Sequence, residues 1–135
     1  MRTAFVDTFY WIARIDPHDQ WHQRAKEVSA SLAATPLLTT EAVLIELLNY
    51  FSAYGPEMRR AAAHIARRIL NDPRVEVLVQ PRETLLAGLA LFEARRDKGY
   101  SLTDCISMQA MRGRGLTDVL THDRHFAQEG FFILL

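Results

Sequence analysis

"RTAFVDTFYWIA", residues 2–13, sets a short apolar run against a single carboxylate, Asp7, and then a cluster of aromatics. "TAFV" has the β-branched and aromatic content of a strand. A chain that needed only a strand and a turn at this point would be served by Asn, Ser or Gly. Asp7 is therefore either the cap of a helix beginning at Thr8 or part of a chemical site, and this stretch alone does not choose. The aromatics after it read as packing that holds the first helix in place.

Beyond residue 13 the period of the apolar residues switches repeatedly between strand-like runs and helical stripes, the signature of an α/β fold. Trp21, Ala25, Val28 and Leu32 form the stripe of a helix that ends before Pro36. "PLLTT" reads as a second strand, and "EAVLIELLNYFSAY" as a helix that stops at Gly55-Pro56. A further helix buries Met58, Ala62, Ile65 and Ile69, and "VEVLV" supplies a third strand. From Pro81 runs a helix expected to turn Leu85, Leu89 and Phe92 inward, ending at Lys98-Gly99. "SLTDCISMQAM" is helical, "DVLT" is a fourth strand and "FFILL" a fifth. Connections are short, and there are no repeats or low-complexity tracts. One domain spanning residues 1–135 is expected, with an open, mainly parallel sheet of four to five strands and helices on both faces. Such sheets bind ligands beyond the carboxyl ends of their strands, where Asp7 falls.

Composition narrows the classes. With 49% hydrophobic and 24% charged residues the chain has the balance of a soluble globular domain, and no apolar run reaches the roughly 20 residues of a membrane span. The first residues lack the pattern of a secretory signal, and the single cysteine, Cys105, suits a reducing compartment, so a cytoplasmic location is expected. Cys105 itself reads as a small core residue. Sixteen basic and sixteen acidic side chains cancel, so nucleic-acid binding would rest on local patches rather than on a global field.

Three further acids share Asp7's kind of position. Asp123, in "VLTHDRHF", follows the fourth strand, and is preferred to Asp118, which comes before that strand. Asp104, three residues after Ser101, has the spacing of a capping box, while Glu46 lies on the border of its helix's apolar stripe. Carboxylates converging in a partly buried crevice repel one another, and each costs several kcal/mol to desolvate unless paired. No lysine or arginine adjoins all four segments in sequence, so a divalent cation is the economical counter-charge. An all-oxygen donor set favours Mg²⁺ or Mn²⁺, which can activate a water against a phosphodiester. Thr8, Ser101 and Thr121 are placed to orient metal-bound waters.

The four segments, in order and at these separations, resemble the PIN-domain ribonucleases, above all the VapC-type toxins of VapBC toxin–antitoxin pairs. "FVDTFYWIA" is similar to the family's opening strand-Asp-Thr/Ser segment, "TTEAVLIELLNYF" to the helix with the second acid, "YSLTDCISMQAM" to the third acidic segment and "VLTHDRHFAQEGF" to the fourth. The resemblance covers essentially the whole chain and implies a three-layer α/β/α sandwich. It implies that Asp7, Glu46, Asp104 and Asp123 hold Mg²⁺ or Mn²⁺ and that the chain hydrolyses single-stranded or loop RNA, of the tRNA or rRNA class. A homodimer and a cognate VapB-type antitoxin lying across the site are implied too. Arg60, His64 and Arg67 or Arg68, on one helical face, are candidates for phosphate contacts.

Rival readings fare less well. A haloacid dehalogenase-type phosphatase would carry a second Asp where this chain has Phe9, and a receiver domain wants an early acidic pair and a late lysine. A PIN fold acting only as a binding module would have no need of four mutually repelling acids. His18 and His22 have i, i+4 spacing without a third ligand and read as solvated helix positions. His122 and His125 flank Asp123, where a role toward phosphate or the antitoxin and a place in a surface loop explain them equally well. Tyr10, Trp11 and Trp21 read as packing residues before groove residues.

Overall fold

The computed structural model describes residues 2–135. β1 (Ala4–Val6), β2 (Leu37–Thr40), β3 (Val75–Leu78), β4 (Asp118–Leu120) and β5 (Phe132–Ile133) form one sheet in the order β3-β2-β1-β4-β5, and every neighbouring pair is parallel. Parallel strands need crossovers, and seven helices provide them: α1 (Thr8–Ile15), α2 (His22–Ser31), α3 (Glu41–Phe51), α4 (Pro56–Asn71), α5 (Arg82–Ala94), α6 (Leu102–Gly113) and α7 (Arg124–Gln128). β1 and β2 are buried at every position, as expected of strands covered on both faces. Phe5, Val6, Leu38, Val119 and Leu120 form the middle of the core. The buried Thr39 stays satisfied by donating its hydroxyl proton to the Val6 carbonyl at 2.9 Å.

After β1 the chain builds outward to β2 and β3, and it later returns on β1's other side with β4 and β5. The carboxyl ends of β1 and β4 thus flank the switch point where a crevice opens.

Two expectations change. α3 ends at Phe51, short of Gly55, because the Ser52 hydroxyl and backbone N–H both turn back to the Asn49 carbonyl, at 2.7 and 3.2 Å. Gly55, at φ +92°, and Pro56 then start α4, using glycine's left-handed freedom and proline's fitness for a first turn. The second change concerns α5. Leu85, Leu89 and Phe92, expected inside, are exposed together with Leu86. Its inner face is Gly88 and Leu91. A Cβ on Gly88 would lie 2.5 Å from Ile106 Cγ1 and 3.3 Å from the Ile106 backbone, so α5 and α6 meet at van der Waals distance through a residue without a side chain. The apolar period pointed to the larger residues; close approach selected the smallest. The short helix α7 has no counterpart in the sequence reading.

Candidate functional site

Asp7 follows β1, and its N–H donates to the Leu120 carbonyl at 3.2 Å, so the β1–β4 ladder holds it in extended conformation at φ −87°, ψ 163°. It occupies the N-cap position of α1 but makes no side-chain capping bond. Its carboxylate turns into the protein instead and is 1% exposed. The Thr121 hydroxyl donates to Oδ2 at 2.8 Å, and Oδ1 has no partner. The same Thr121 oxygen accepts the Asp123 N–H at 3.0 Å, so one hydroxyl ties the ends of β1 and β4 together.

Asp104 and Asp123 are both caps and lining residues of one cavity. At the start of α6, Ser101 Oγ accepts the Asp104 N–H at 3.0 Å, and Asp104 Oδ2 accepts the Ser101 N–H at 3.1 Å, a complete capping box. Asp123 Oδ1 caps α7 by accepting the His125 N–H at 3.0 Å. Each cap engages one oxygen and leaves the other for a ligand. Glu46 of α3, Asp104 and Asp123 line one cavity of about 620 Å³; Asp7 is buried and does not line it, but it feels the charges of Asp104 and Glu46. Thr8, its Oγ1 unpartnered, and Ser101 line that cavity too.

No lysine or arginine among the described residues lies within ion-pair distance of these acids. Among the described residues, the basic group within ion-pair distance of them is His125, whose Nδ1 lies 3.4 Å from Asp123 Oδ1 and 3.7 Å from Asp104 Oδ2. Burial, and then the charge of Asp104, pushes the Asp7 carboxyl up to about 8; the Thr121 hydroxyl and the Thr8 backbone N–H oppose this, and Glu46 adds to it. Asp104 is also raised, chiefly by burial, against the Ser101 N–H and with help from Asp123 and Glu46. An unpartnered buried carboxylate oxygen amid further acids fits a hard divalent cation. Asp104, Asp123 and His125 each offer a ligand atom within 4.8 Å of the others.

Sequence reasoning undervalued His125. Its only local signal is its position two residues after Asp123, and the Tyr100 ring that packs against it at 5.0 Å comes from another element. Phe9 also departs from expectation. Tyr10 and Trp11 are packing residues as read, but Phe9 is 38% exposed and lines the acid cavity. Arg60, His64, Arg67 and Arg68 do not line that cavity. His64, Arg67 and Arg68 line a separate groove between α1 and α4 with Trp11, Arg14 and Arg74, and Arg60 pairs with Glu57 at 3.7 Å. Asp118, the first residue of β4, pairs with Arg2 at 3.2 Å at the strand's opposite end.

The family model described as PIN domain matches residues 4–131. The chain is 32% identical over 131 residues to the "23S rRNA-specific endonuclease VapC20" of Mycobacterium tuberculosis, in strains CDC 1551 / Oshkosh and ATCC 25618 / H37Rv, covering 94% of both chains. The crystal structure of Mycobacterium tuberculosis VapC20, described as a sarcin–ricin loop cleaving toxin, superposes with a TM-score of 0.87 at 25% identity, covering 97% of each chain.

Proposed function

This chain belongs to the PIN-domain family, and on that premise we propose that it is a metal-dependent endoribonuclease, the toxin of a type II toxin–antitoxin system. The observation that carries this reading is the mutual charge coupling of Asp7, Glu46, Asp104 and Asp123, with no lysine or arginine among the described residues at ion-pair distance. A fold that used these acids only for capping would have no reason to bury Asp7 with an unpartnered oxygen.

Asp7, Asp104, Asp123 and Glu46 hold Mg²⁺ or Mn²⁺ in this reading. The cation would lower the pKa of a water and offset charge developing at phosphorus. Thr121 fixes Asp7 through Oδ2, so that Oδ1 is the oxygen offered to the ion. Ser101 and the Asp123 cap do the same for Asp104 and Asp123, while Thr8 and Ser101 orient water at the cavity wall. Preset carboxylates cost no reorganisation when substrate arrives.

The name of the VapC20 relative makes 23S rRNA the first substrate to test. A VapB-type antitoxin is the expected partner, and the cytoplasm, where Cys105 stays reduced, the expected location. The exposed stripe of Leu85, Leu86, Leu89 and Phe92 on α5 supports a homodimer joined there. Sedimentation of Leu86→Glu as a monomer beside a dimeric parent would bear this out.

The decisive experiment incubates the purified protein with ribosomes and with bulk tRNA in Mg²⁺ or Mn²⁺, maps new RNA ends, and repeats the reaction in EDTA. Discrete ends that vanish in EDTA are expected. Cleavage that survives chelation would sink the metal mechanism, and growth arrest by the chain without any cleavage would point to a binding module.

A further inference from the structure

The cavity that holds the acids has a second kind of wall. Besides Glu46, Asp104 and Asp123 it is lined by Phe9 and Ile12 of α1 and by Asn49 and Tyr50, one turn on from Glu46 in α3. Phe9 is the second residue of α1, within one helical turn of Asp7, so its ring and the buried carboxylate are set by the same piece of backbone.

Phe9 is also braced. The His122 ring lies 4.7 Å from it at 40°, and Trp21 stacks on His122 at 4.8 Å with planes within 7° of parallel. The three rings come from α1, from the loop between β4 and α7, and from the residue before α2. Trp21 packs against the core in turn. A large aromatic is thus held in place from behind and left accessible on the side of the acids.

A phosphodiester substrate carries one flat, π-faced group within reach of its own phosphate, the nucleobase. In a duplex both faces of a base are taken by its neighbours; in a loop or single strand they are free to meet an aromatic ring. We propose that Phe9, braced by His122 and Trp21, stacks on a nucleobase of an unpaired RNA segment next to the scissile phosphate, with the Asn49 amide facing that base's edge. This rests on the ribonuclease reading and adds to it a base-binding subsite formed by Phe9, which an unpaired base can reach. A pre-set ring loses little entropy on binding, which favours recognition of a base at the site of cleavage.

The test uses short single-stranded RNAs carrying the fluorescent base 2-aminopurine at each position in turn, with Ca²⁺ as the divalent ion. Wild type should quench the probe at one position, and Phe9→Leu should lose that quenching and bind about 5- to 100-fold more weakly. Phe9→Trp should keep both. An RNA lacking the base at that position should bind wild type no better than the intact RNA binds Phe9→Leu. Quenching at no position, or undiminished quenching in Phe9→Leu, would overturn the proposal. So would a Phe9→Leu protein altered only in its inhibition by a protein partner. Thermal unfolding of both variants separates loss of the ring from loss of the fold. The same RNAs in Mn²⁺ keep the two readings apart: quenching without cleavage breaks the ribonuclease reading, and cleavage without quenching breaks only the subsite.

Discussion

Asp7 and Glu129 are both buried carboxylates in this sheet-and-helix fold, yet their surroundings are opposite. Glu129, just after α7, has a side chain 5% exposed and accepts from Arg95 Nε at 2.8 Å, Arg112 Nη2 at 2.8 Å and the Tyr100 hydroxyl at 2.9 Å. Burial pushes its carboxyl up, but the hydrogen bonds from Arg95, Arg112 and Tyr100 outweigh this and hold it at about 2. Asp7 has one hydroxyl donor and acidic neighbours, and burial with the Asp104 charge drives it to about 8. Tyr100, which donates to Glu129, also packs against His125 at the rim of the acid site, so the two regions touch. Two arginines meet one of these acids, and neither lysine nor arginine among the described residues pairs with the other. Glu129 locks the segment after α7 onto α5 and α6; on the proposed reading, Asp7 is the carboxylate held for a cation.

The sharpest way to break that comparison is Asp7→Asn. RNA cleavage should fall at least about 1,000-fold, as expected when a charge at the ion is removed, while the variant unfolds in EDTA at a temperature no lower than wild type. A large loss of stability would make Asp7 structural like Glu129.

The two acids also predict different pH windows. Asp7 has a native pKa above its unfolded value, so the native state keeps a proton that the unfolded chain releases, and metal-free stability falls as pH rises from about 4 to 8. Glu129 has a native pKa below its unfolded value, so its contribution is complete above about 4.5 and lost as pH falls toward 2. Urea denaturation in EDTA should therefore show a maximum near pH 4 and a drop of about 4 kcal/mol by pH 8. Asp7→Asn or saturating Mn²⁺ should flatten that drop.

Glu129→Gln should cost about 2 kcal/mol in the same assay, less than a fully buried pair because both arginines are partly exposed. Cleavage per folded molecule should stay within a few-fold of wild type. The smallest effect belongs to the hydroxyl between the two strand ends. Thr121→Val removes the donor to Asp7 and the acceptor for the Asp123 N–H, and should weaken Mn²⁺ binding about 10-fold by titration calorimetry.

Much of the site was legible because its cues are local. Asp7 and Asp123 each follow a run of strand formers, and Ser101 with Asp104 has capping-box spacing, so both kinds of cue place an acid at an element's end. Capping leaves room for the proposed chemistry at Asp104 and Asp123, since each cap engages one of two carboxylate oxygens. The inner face of α5 was not legible, because periodicity weighs size and α6 demanded a residue with none at Gly88. Nor was the separation of Arg60, His64, Arg67 and Arg68 from the acids, which depends on where α4 lies against α1.

The sequence by itself determined the alternation of strands and helices and the parallel sheet, and singled out the four acids as candidates, because periodicity, breakers and caps act over a few residues. Tertiary structure alone decided which charges were compensated. Glu129 meets Arg95, Tyr100 and Arg112 across 34, 29 and 17 residues of chain, and Thr121 reaches Asp7 across 114. No window of sequence spans those distances. The contrast between a satisfied carboxylate and a waiting one exists only once the sheet has brought the ends of β1 and β4 together.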